Sequence, residues 1–457
     1  MKKILLALCL SVLVCVPLAG RAQETTLVAL DVSVPSDLPP EIPPPVVGSV
    51  IKVLTFNTWE IISAKMRNER AAAIGKRIAE LDPDIIAIQE MFEARHRDIF
   101  LKSLADHGYR PTANQYFLRL YGSGILFLSK FPVLSVTFEP YRVNCPWYDI
   151  ERIGGKGIAH LLLDTPHGRL DFFITHALSR TPAIFDEQGR FIPGDPKQTD
   201  RLLQMYQIDR FVRAHRSPRG RSVIAAGDFN VSPEMLEYQF LIALTGFESS
   251  FEILNPGQNP STFDAKNNMW VPDDFSRIDH ILFKNYQGTD GFWLNPVLSR
   301  VEMDGKFVGP DGKEYNYSDH YGIYTEFEVV TDPALAPPSP EGRARGTNAC
   351  AACGPAAAAG SEITLTPENY PAWRDYALGV MGEAYWRKDR TNPLVVPMAE
   401  LLTAPPSAGG RVKLDDRAQR ELKKRGCPKD CGAEAKAADR PGDESWTRRL
   451  QSFSPWN

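Results

Sequence analysis

The chain has 457 residues, 43% of them hydrophobic, which is enough for a sizeable buried core, and a net charge of −4 at pH 7. Proteins that bind nucleic acid through its phosphates concentrate positive charge, and no strong basic tract precedes the C-terminal region, so the composition argues against a nucleic-acid partner. Beyond the N-terminal segment no stretch is apolar enough to span a bilayer.

Residues 1–22 open with Lys2 and Lys3, run apolar from Ile4 to Leu18 and reach small residues at Gly20 and Ala22. This is the pattern of a secretory signal peptide cleaved after Ala22, and the apolar run is shorter than the roughly 20 residues of a spanning helix. The expectation is a secreted or periplasmic protein whose mature charge, without Lys2, Lys3 and Arg21, is −7. Residues 23–49 form a leader whose prolines, Pro35 to Pro45, sustain neither helix nor central strand.

From 50 to 330 apolar strands alternate with helices and hairpins. A strand is predicted over 51–56, a helix over 68–81 from the spacing of Ala72, Ile74, Ile78 and Leu81, and a buried strand over 85–88. Residues 156–163 and 169–175 flank Pro166, His167 and Gly168 as an antiparallel hairpin. A helix over 199–215 follows, then strands over 222–226, 278–283 and 321–330. Hairpins with helices outside them predict two packed sheets, an α/β sandwich.

Residues 331–360, rich in proline and then in alanine and glycine, read as a linker. The remaining 361–457 form a C-terminal region of unknown role, with helices expected over 373–386 and 415–425 and no catalytic motif. In an oxidising compartment the close pairs Cys350/Cys353 and Cys427/Cys431 read as disulfide partners of undetermined connectivity, leaving Cys145 as the odd thiol. A four-thiolate zinc site is the alternative.

Six short motifs place polar or ionisable residues at strand ends: Leu54-Thr-Phe-Asn57, Ile88-Gln-Glu90, Ile174-Thr-His176, Ala226-Gly-Asp-Phe-Asn230, Arg277-Ile-Asp279 and Ser318-Asp-His320. One Asp at a strand end is ordinarily a turn former or cap. Together, in this order, the motifs resemble the endonuclease/exonuclease/phosphatase superfamily of metal-dependent phosphoesterases. That resemblance spans about residues 50–330 and implies a deoxyribonuclease-like two-sheet α/β sandwich, with the small C-terminal region appended.

The chemistry explains the residue types. Phosphodiester hydrolysis needs an activated water, neutralised phosphoryl oxygens and a stabilised leaving group. Magnesium prefers hard oxygen ligands, which makes Glu90 the leading metal ligand with Asn57 beside it; Mn2+ or another divalent cation would also suit. His320 is the candidate general base, because an imidazole titrates near neutral pH. The resemblance implies that Asp279 orients His320, Asp228 positions or polarises the nucleophile, Asn230 hydrogen-bonds the phosphate and His176 contacts the phosphoryl oxygens or assists the leaving group. It also implies that Asp319 sits near the metal. Strand alternation turns His280 away from Asp279, towards packing or surface. His96, His107, His160, His167 and His215 read as structural or surface residues.

Further features resemble the neutral and bacterial sphingomyelinase branch: Lys156-Gly157-Ile158, Gly124 to Pro132, Thr262-Phe-Asp264 followed by Asn267 and Asn268, and Ser318-Asp-His-Tyr-Gly322. The resemblance implies that Lys156 and Asn268 bind substrate, and that water cleaves sphingomyelin to ceramide and phosphocholine at a membrane surface contacted peripherally. Residues 301–315 read as a hairpin with one aromatic, Phe307, near its tip; Phe292 and Trp293 read as core aromatics, with a membrane-contacting role as the alternative. A secreted nuclease on the same fold and a non-catalytic binding module are the competing functions. Nothing in the sequence sets the oligomeric state.

Overall fold

The computed structural model describes residues 49–113, 122–143, 151, 154–180, 184–185, 191–192, 195–272, 274–286, 291–331, 362–404 and 410–425. The signal segment, the leader up to residue 48, the linker beyond residue 331 and all five cysteines outside the signal segment lie outside the described residues.

The first strand, β1 (Val50–Asn57), is buried along most of its length because both of its faces are covered. Ile51 and Val53 point into the core between the sheets, while Leu54 and Phe56 point out beneath α1 (Arg67–Leu81). Burial on two faces is why the sequence reads as a continuous apolar run rather than an alternation. β1 pairs in parallel with β2 (Ile85–Gln89), and the helix α2 (Ala94–Lys102) packs beside α1. The sheet continues through β4 (Leu126–Ser129) to β3 (Arg110–Ala113).

The second sheet is built on β5 (Val133–Pro140) and the hairpin of β6 (Gly157–Thr165) with β7 (Gly168–His176). After α3 (Gln198–His215), β8 (Val223–Asp228) joins β7 in parallel, and β10 (Asp279–Lys284) lies antiparallel to β8. Between them come α4 (Leu236–Thr245), the two-residue edge strand β9 (Glu248–Ser249) and α5 (Ser250–Leu254). The chain then returns to the first sheet as β11 (Trp293–Glu302) and β14 (Gly322–Val330), with the small hairpin β12 (Lys306–Val308) and β13 (Glu314–Asn316) between them. Among the described residues each large sheet has six strands, and Val53, Ala87, Phe127, Phe172, Ile174, Ile224, Ile281 and Phe327 fill the space between them. The sandwich with helices outside is the architecture expected.

Residues 362–404 and 410–425 pack on α3 and α4, the helices outside the second sheet. They form a strand pair, β15 (Glu362–Thr364) with β16 (Arg411–Lys413), and three helices, α6 (Tyr370–Arg387), α7 (Val395–Thr403) and α8 (Asp416–Arg425). Trp373, Met381, Leu394 and Met398 share one buried apolar cluster with Leu202, Met205, Phe240 and Leu241 of α3 and α4. Arg390 forms a two-pronged ion pair with Asp200, the third residue of α3. Arg142 and Arg210 lie over the rings of Tyr385 and Trp386. No helix was expected over α7, which carries Pro397; that proline sits in the first turn, where its missing N–H costs no helical hydrogen bond.

No helix among the described residues is long and apolar enough to cross a membrane. Phe292 is buried in the core between the sheets, as expected, whereas Trp293 is only half-buried, in β11 opposite Val330.

Candidate active site

Strand polarity brings the motifs together. β1, β2, β7 and β8 end at one rim of the sandwich, where Asn57, Glu90, His176 and Asp228 emerge. β10 and β14 run the other way in their sheets and start at that rim, so Asp279 and His320 arrive from their N-terminal ends. Asp228 stands in register with His176 on one side and Asp279 on the other. Gly227 between them is required: with φ at +153°, a Cβ there would sit 2.1 Å from the Thr175 carbonyl oxygen.

Asp279 Oδ2 accepts a 2.9 Å hydrogen bond from His320 Nδ1, leaving Nε2 directed towards Asp228 Oδ2 at 4.0 Å. His176 Nε2 lies 3.4 Å from the same Asp228 oxygen and 3.7 Å from Glu90 Oε1. Asn57 Nδ2 donates to Asp228 Oδ2 at 3.0 Å, and its Oδ1 accepts from the Trp59 N–H. Asn230 N–H donates to Asp228 Oδ1, and its side-chain amide donates to the Ala177 carbonyl at 3.0 Å. Glu90 and Asn230 both sit in the left-handed region, at φ of 60° and 54°. Non-glycine residues are held there at a cost of about 1–3 kcal/mol, and such outliers gather at functional sites.

Burial alone would lower the pKa of His320, but the carboxylates of Asp279, Asp319 and Asp228 outweigh it and hold the imidazole up at about 10. Burial would raise Asp228, yet His176, His320 and Lys156 keep it well below the usual carboxylate range. Asp319 is pushed up to about 7, first by desolvation and then by the charge of Glu90, against the pull of His320.

These groups suit a divalent cation. Asp228, Asp279 and His320 offer ligand atoms within 4.8 Å of one another, and Asp279 Oδ1 and His176 Nδ1 are buried without a hydrogen-bond partner. Hard oxygens crowded beside Glu90 and Asp319 form a donor set that a cation relieves. Asp228, Asp279 and His320, expected in catalytic roles, are therefore also possible ligands. Lys156 and Asn268, expected as substrate contacts, have their polar ends on protein groups. Lys156 Nζ pairs with Glu151 Oε2 at 2.6 Å and donates to Ala177 O, while Asn268 Nδ2 donates to Ser318 O at 2.8 Å.

Residues 54–320 match the Endonuclease/Exonuclease/phosphatase family. The chain belongs to that family. Inositol phosphosphingolipids phospholipase C of Schizosaccharomyces pombe is 29% identical over 325 residues, covering 62% of this chain and 69% of that protein. Sphingomyelin phosphodiesterase 2 of Homo sapiens is 24% identical over 258 residues, covering 54% of this chain and 57% of the relative, so little more than half of the human protein is represented. Among solved structures, sphingomyelinase C from Streptomyces griseocarneus aligns over 62% of this chain and 100% of its own, at 23% identity and a TM-score of 0.46. The family protein is a phosphodiesterase of the metal-dependent phosphoesterase type, similar to sphingomyelinases.

Two features of the site escaped the sequence reading. Glu60, three residues past Asn57, is fully buried and pushed up to about 8 by desolvation, against the pull of Arg70. Arg70 itself is fully buried, although it lies on the stripe of α1 that carries Ile74 and Ile78. A charge at i, i+4 and i+8 spacing with two core isoleucines was the available signal. His96 packs against Glu60 with Nδ1 3.2 Å from Oε2, and His280 is buried with Nε2 2.7 Å from the Val231 carbonyl. Both have the structural character expected of them.

Proposed function

We propose that this protein is a secreted, magnesium-dependent phosphodiesterase that hydrolyses sphingomyelin to ceramide and phosphocholine. The observation that carries the reading is the His320–Asp279 pair facing Asp228, His176 and Glu90 at one rim of the sandwich. Asp279 fixes the His320 tautomer and leaves Nε2 to take the proton of a water lying against Asp228. The water oxygen bonds to phosphorus, the bond from phosphorus to the ceramide oxygen breaks, and the leaving oxygen takes the proton that His176 Nε2 donates; solvent then takes the proton held by His320 and returns one to His176. Asn57, Glu90 and Asp319, with Asp228, would hold the cation, which neutralises phosphoryl charge and offsets the carboxylates that otherwise keep His320 protonated. Asn230 supports the phosphate, and Lys156 adds positive charge behind it.

The rim supports contact with a lipid surface. Trp59 packs on Trp270, Trp270 stacks on Tyr315, and Phe307 lies between Tyr315 and Tyr317, so three loops beside His320 form one aromatic ladder. Ile62, Met269 and Val308 on those loops are exposed. The 301–315 segment folds as the expected hairpin with Phe307 near its tip; Phe307 is partly exposed, and Val308, 68% exposed, is the outward apolar residue beside it. The N-terminal signal-like segment supports secretion.

The test is phosphocholine release from sphingomyelin vesicles compared with cleavage of plasmid DNA, each with Mg2+ or EDTA. Mg2+-dependent release on vesicles is expected. Cleavage of DNA alone would overturn the substrate in favour of a nuclease, and inactivity on every phosphodiester would favour a binding module.

A further inference from the structure

We propose that Arg70 is a positioning residue that locks the metal-ligand side of the site to the side carrying His320; this rests on the metal-dependent phosphodiesterase reading. Its guanidinium touches no candidate ligand directly. Nη1 donates to the Thr58 carbonyl at 2.7 Å and to the Tyr317 carbonyl at 3.0 Å. Nε donates to Lys65 O at 2.9 Å, and Nη2 donates to Trp59 O at 2.7 Å and lies 3.1 Å from Glu60 Oε1. Of its five N–H donors four are hydrogen-bonded to backbone carbonyls, and the remaining charge is paired with the buried Glu60 carboxylate.

The acceptors lie at the joints of the site. Thr58 follows Asn57, and both its N–H (3.0 Å) and its hydroxyl (2.9 Å) donate to the carbonyl of Gln89, the residue before Glu90. Tyr317 precedes Ser318, whose Oγ accepts the His320 N–H. One buried cation thus reaches Asn57 and Glu90 through Thr58, and Asp319 and His320 through Tyr317. The loop it crosses is otherwise strained: Trp59 and Met66 have φ of 51° and 52°. A planar fork can bind diverging carbonyls in this way, whereas a lysine ammonium, with three donors on a flexible stem, cannot span them.

The experiment compares full-length wild type, Arg70→Lys, Arg70→Gln and Thr58→Val. Mn2+ binding is read from the electron paramagnetic resonance signal of free Mn2+, turnover from sphingomyelin in detergent micelles with Mg2+, and folding from near-ultraviolet circular dichroism. Loosening the site by a fraction of an ångström should lower kcat of Arg70→Lys by roughly 100-fold with KM changed by less than about 3-fold. Its Mn2+ affinity should fall about 10-fold or more, since ligand orientation depends on such supporting contacts. Thr58→Val removes a single hydroxyl and should weaken Mn2+ binding by about 3- to 5-fold. Because it leaves the Thr58 carbonyl and its bond from Arg70 in place, it reports only on the Thr58–Gln89 link; Arg70→Gln, which keeps a planar amide donor but not the fork, carries the test if Arg70→Lys does not fold.

Wild-type Mn2+ affinity and kcat in the folded variants overturn the assignment. So does a loss of activity that merely follows the folded fraction, with Mn2+ affinity per folded molecule unchanged. A wild type that neither binds Mn2+ nor turns over any phosphodiester instead overturns the functional reading on which the assignment rests.

Discussion

Arg390→Ala tests how residues 362–425 are fastened to the sandwich. Arg390 pairs through Nε (2.6 Å) and Nη2 with both oxygens of Asp200, whose side chain is 1% exposed. Deleting one partner of a buried pair costs about 3–5 kcal/mol, because the remaining charge is left without compensation in a poorly solvating environment. Here Asp200 lies in the first turn of α3, where the helix dipole returns roughly 0.3–1 kcal/mol, and Lys197 and Arg201 lie close by. The expected net loss is therefore about 2–4 kcal/mol at pH 7.

Protonation limits that loss. Burial already raises the pKa of Asp200 against the pull of Arg390, and removing Arg390 raises it further. A carboxyl whose folded pKa lies above its unfolded value contributes stability below the unfolded pKa and loses it as pH rises through the folded one. The Arg390→Ala deficit should accordingly shrink from pH 7 towards pH 4. Urea unfolding followed by tryptophan fluorescence measures it. Asp200→Asn introduced beside Arg390→Ala should recover part of the loss, since no buried charge then remains. A deficit below about 0.5 kcal/mol, or one unaffected by Asp200→Asn, refutes the reasoning.

His320→Ala should cut turnover by about 10²–10⁴-fold while circular dichroism stays that of the wild type, and a near-normal rate would remove His320 from the chemistry. Asp279→Asn should leave the chain folded and shift the pH–rate profile to lower pH, because the carboxylate that raises the His320 pKa is gone; an unmoved profile counts against the pairing. The buried imidazole of His280 is lowered to about 3, so it contributes stability above its unfolded pKa that is lost as pH falls from about 6.5 towards 3. His280→Phe should flatten the stability–pH curve by up to about 1.4 kcal/mol per pH unit in that window, and an unchanged slope in urea titrations would refute it. Trp373→Ala, at a fully buried position in the α3/α4 cluster, should destabilise by about 3–5 kcal/mol in the same assay, and a loss under 1 kcal/mol would show that this cluster is not cooperative with the sandwich.

The strands bearing the motifs were legible because they are buried on both faces and end in polar residues, as in Val53 to Asn57 and Val223 to Asp228. Helix α1 was legible from its apolar spacing, and the β6–β7 hairpin from the turn residues between two apolar runs. Less was visible where local signals conflict with packing. α4 (Leu236–Thr245) is apolar nearly all round because it lies between α3 and α7, so it offers little of the contrast between faces that marks a surface helix. Two of the C-terminal helices, α6 and α8, could be expected singly, but their seat on α3 and α4 could not, because apolar faces carry no label for their partner.

The sequence by itself singled out the candidate groups: Glu90, His176, Asp228, Asp279 and His320 stand at strand ends in family order, and a β-strand's two-residue period decides which of Asp279 and His280 faces the cleft. Only the tertiary structure decided what holds them. That Arg70 is fully buried, with the carbonyls of Thr58 and of Tyr317, 247 residues further along the chain from Arg70, as acceptors, depends on distant backbone carbonyls meeting in space. Such contacts leave no trace in residue type, because every residue carries the same carbonyl.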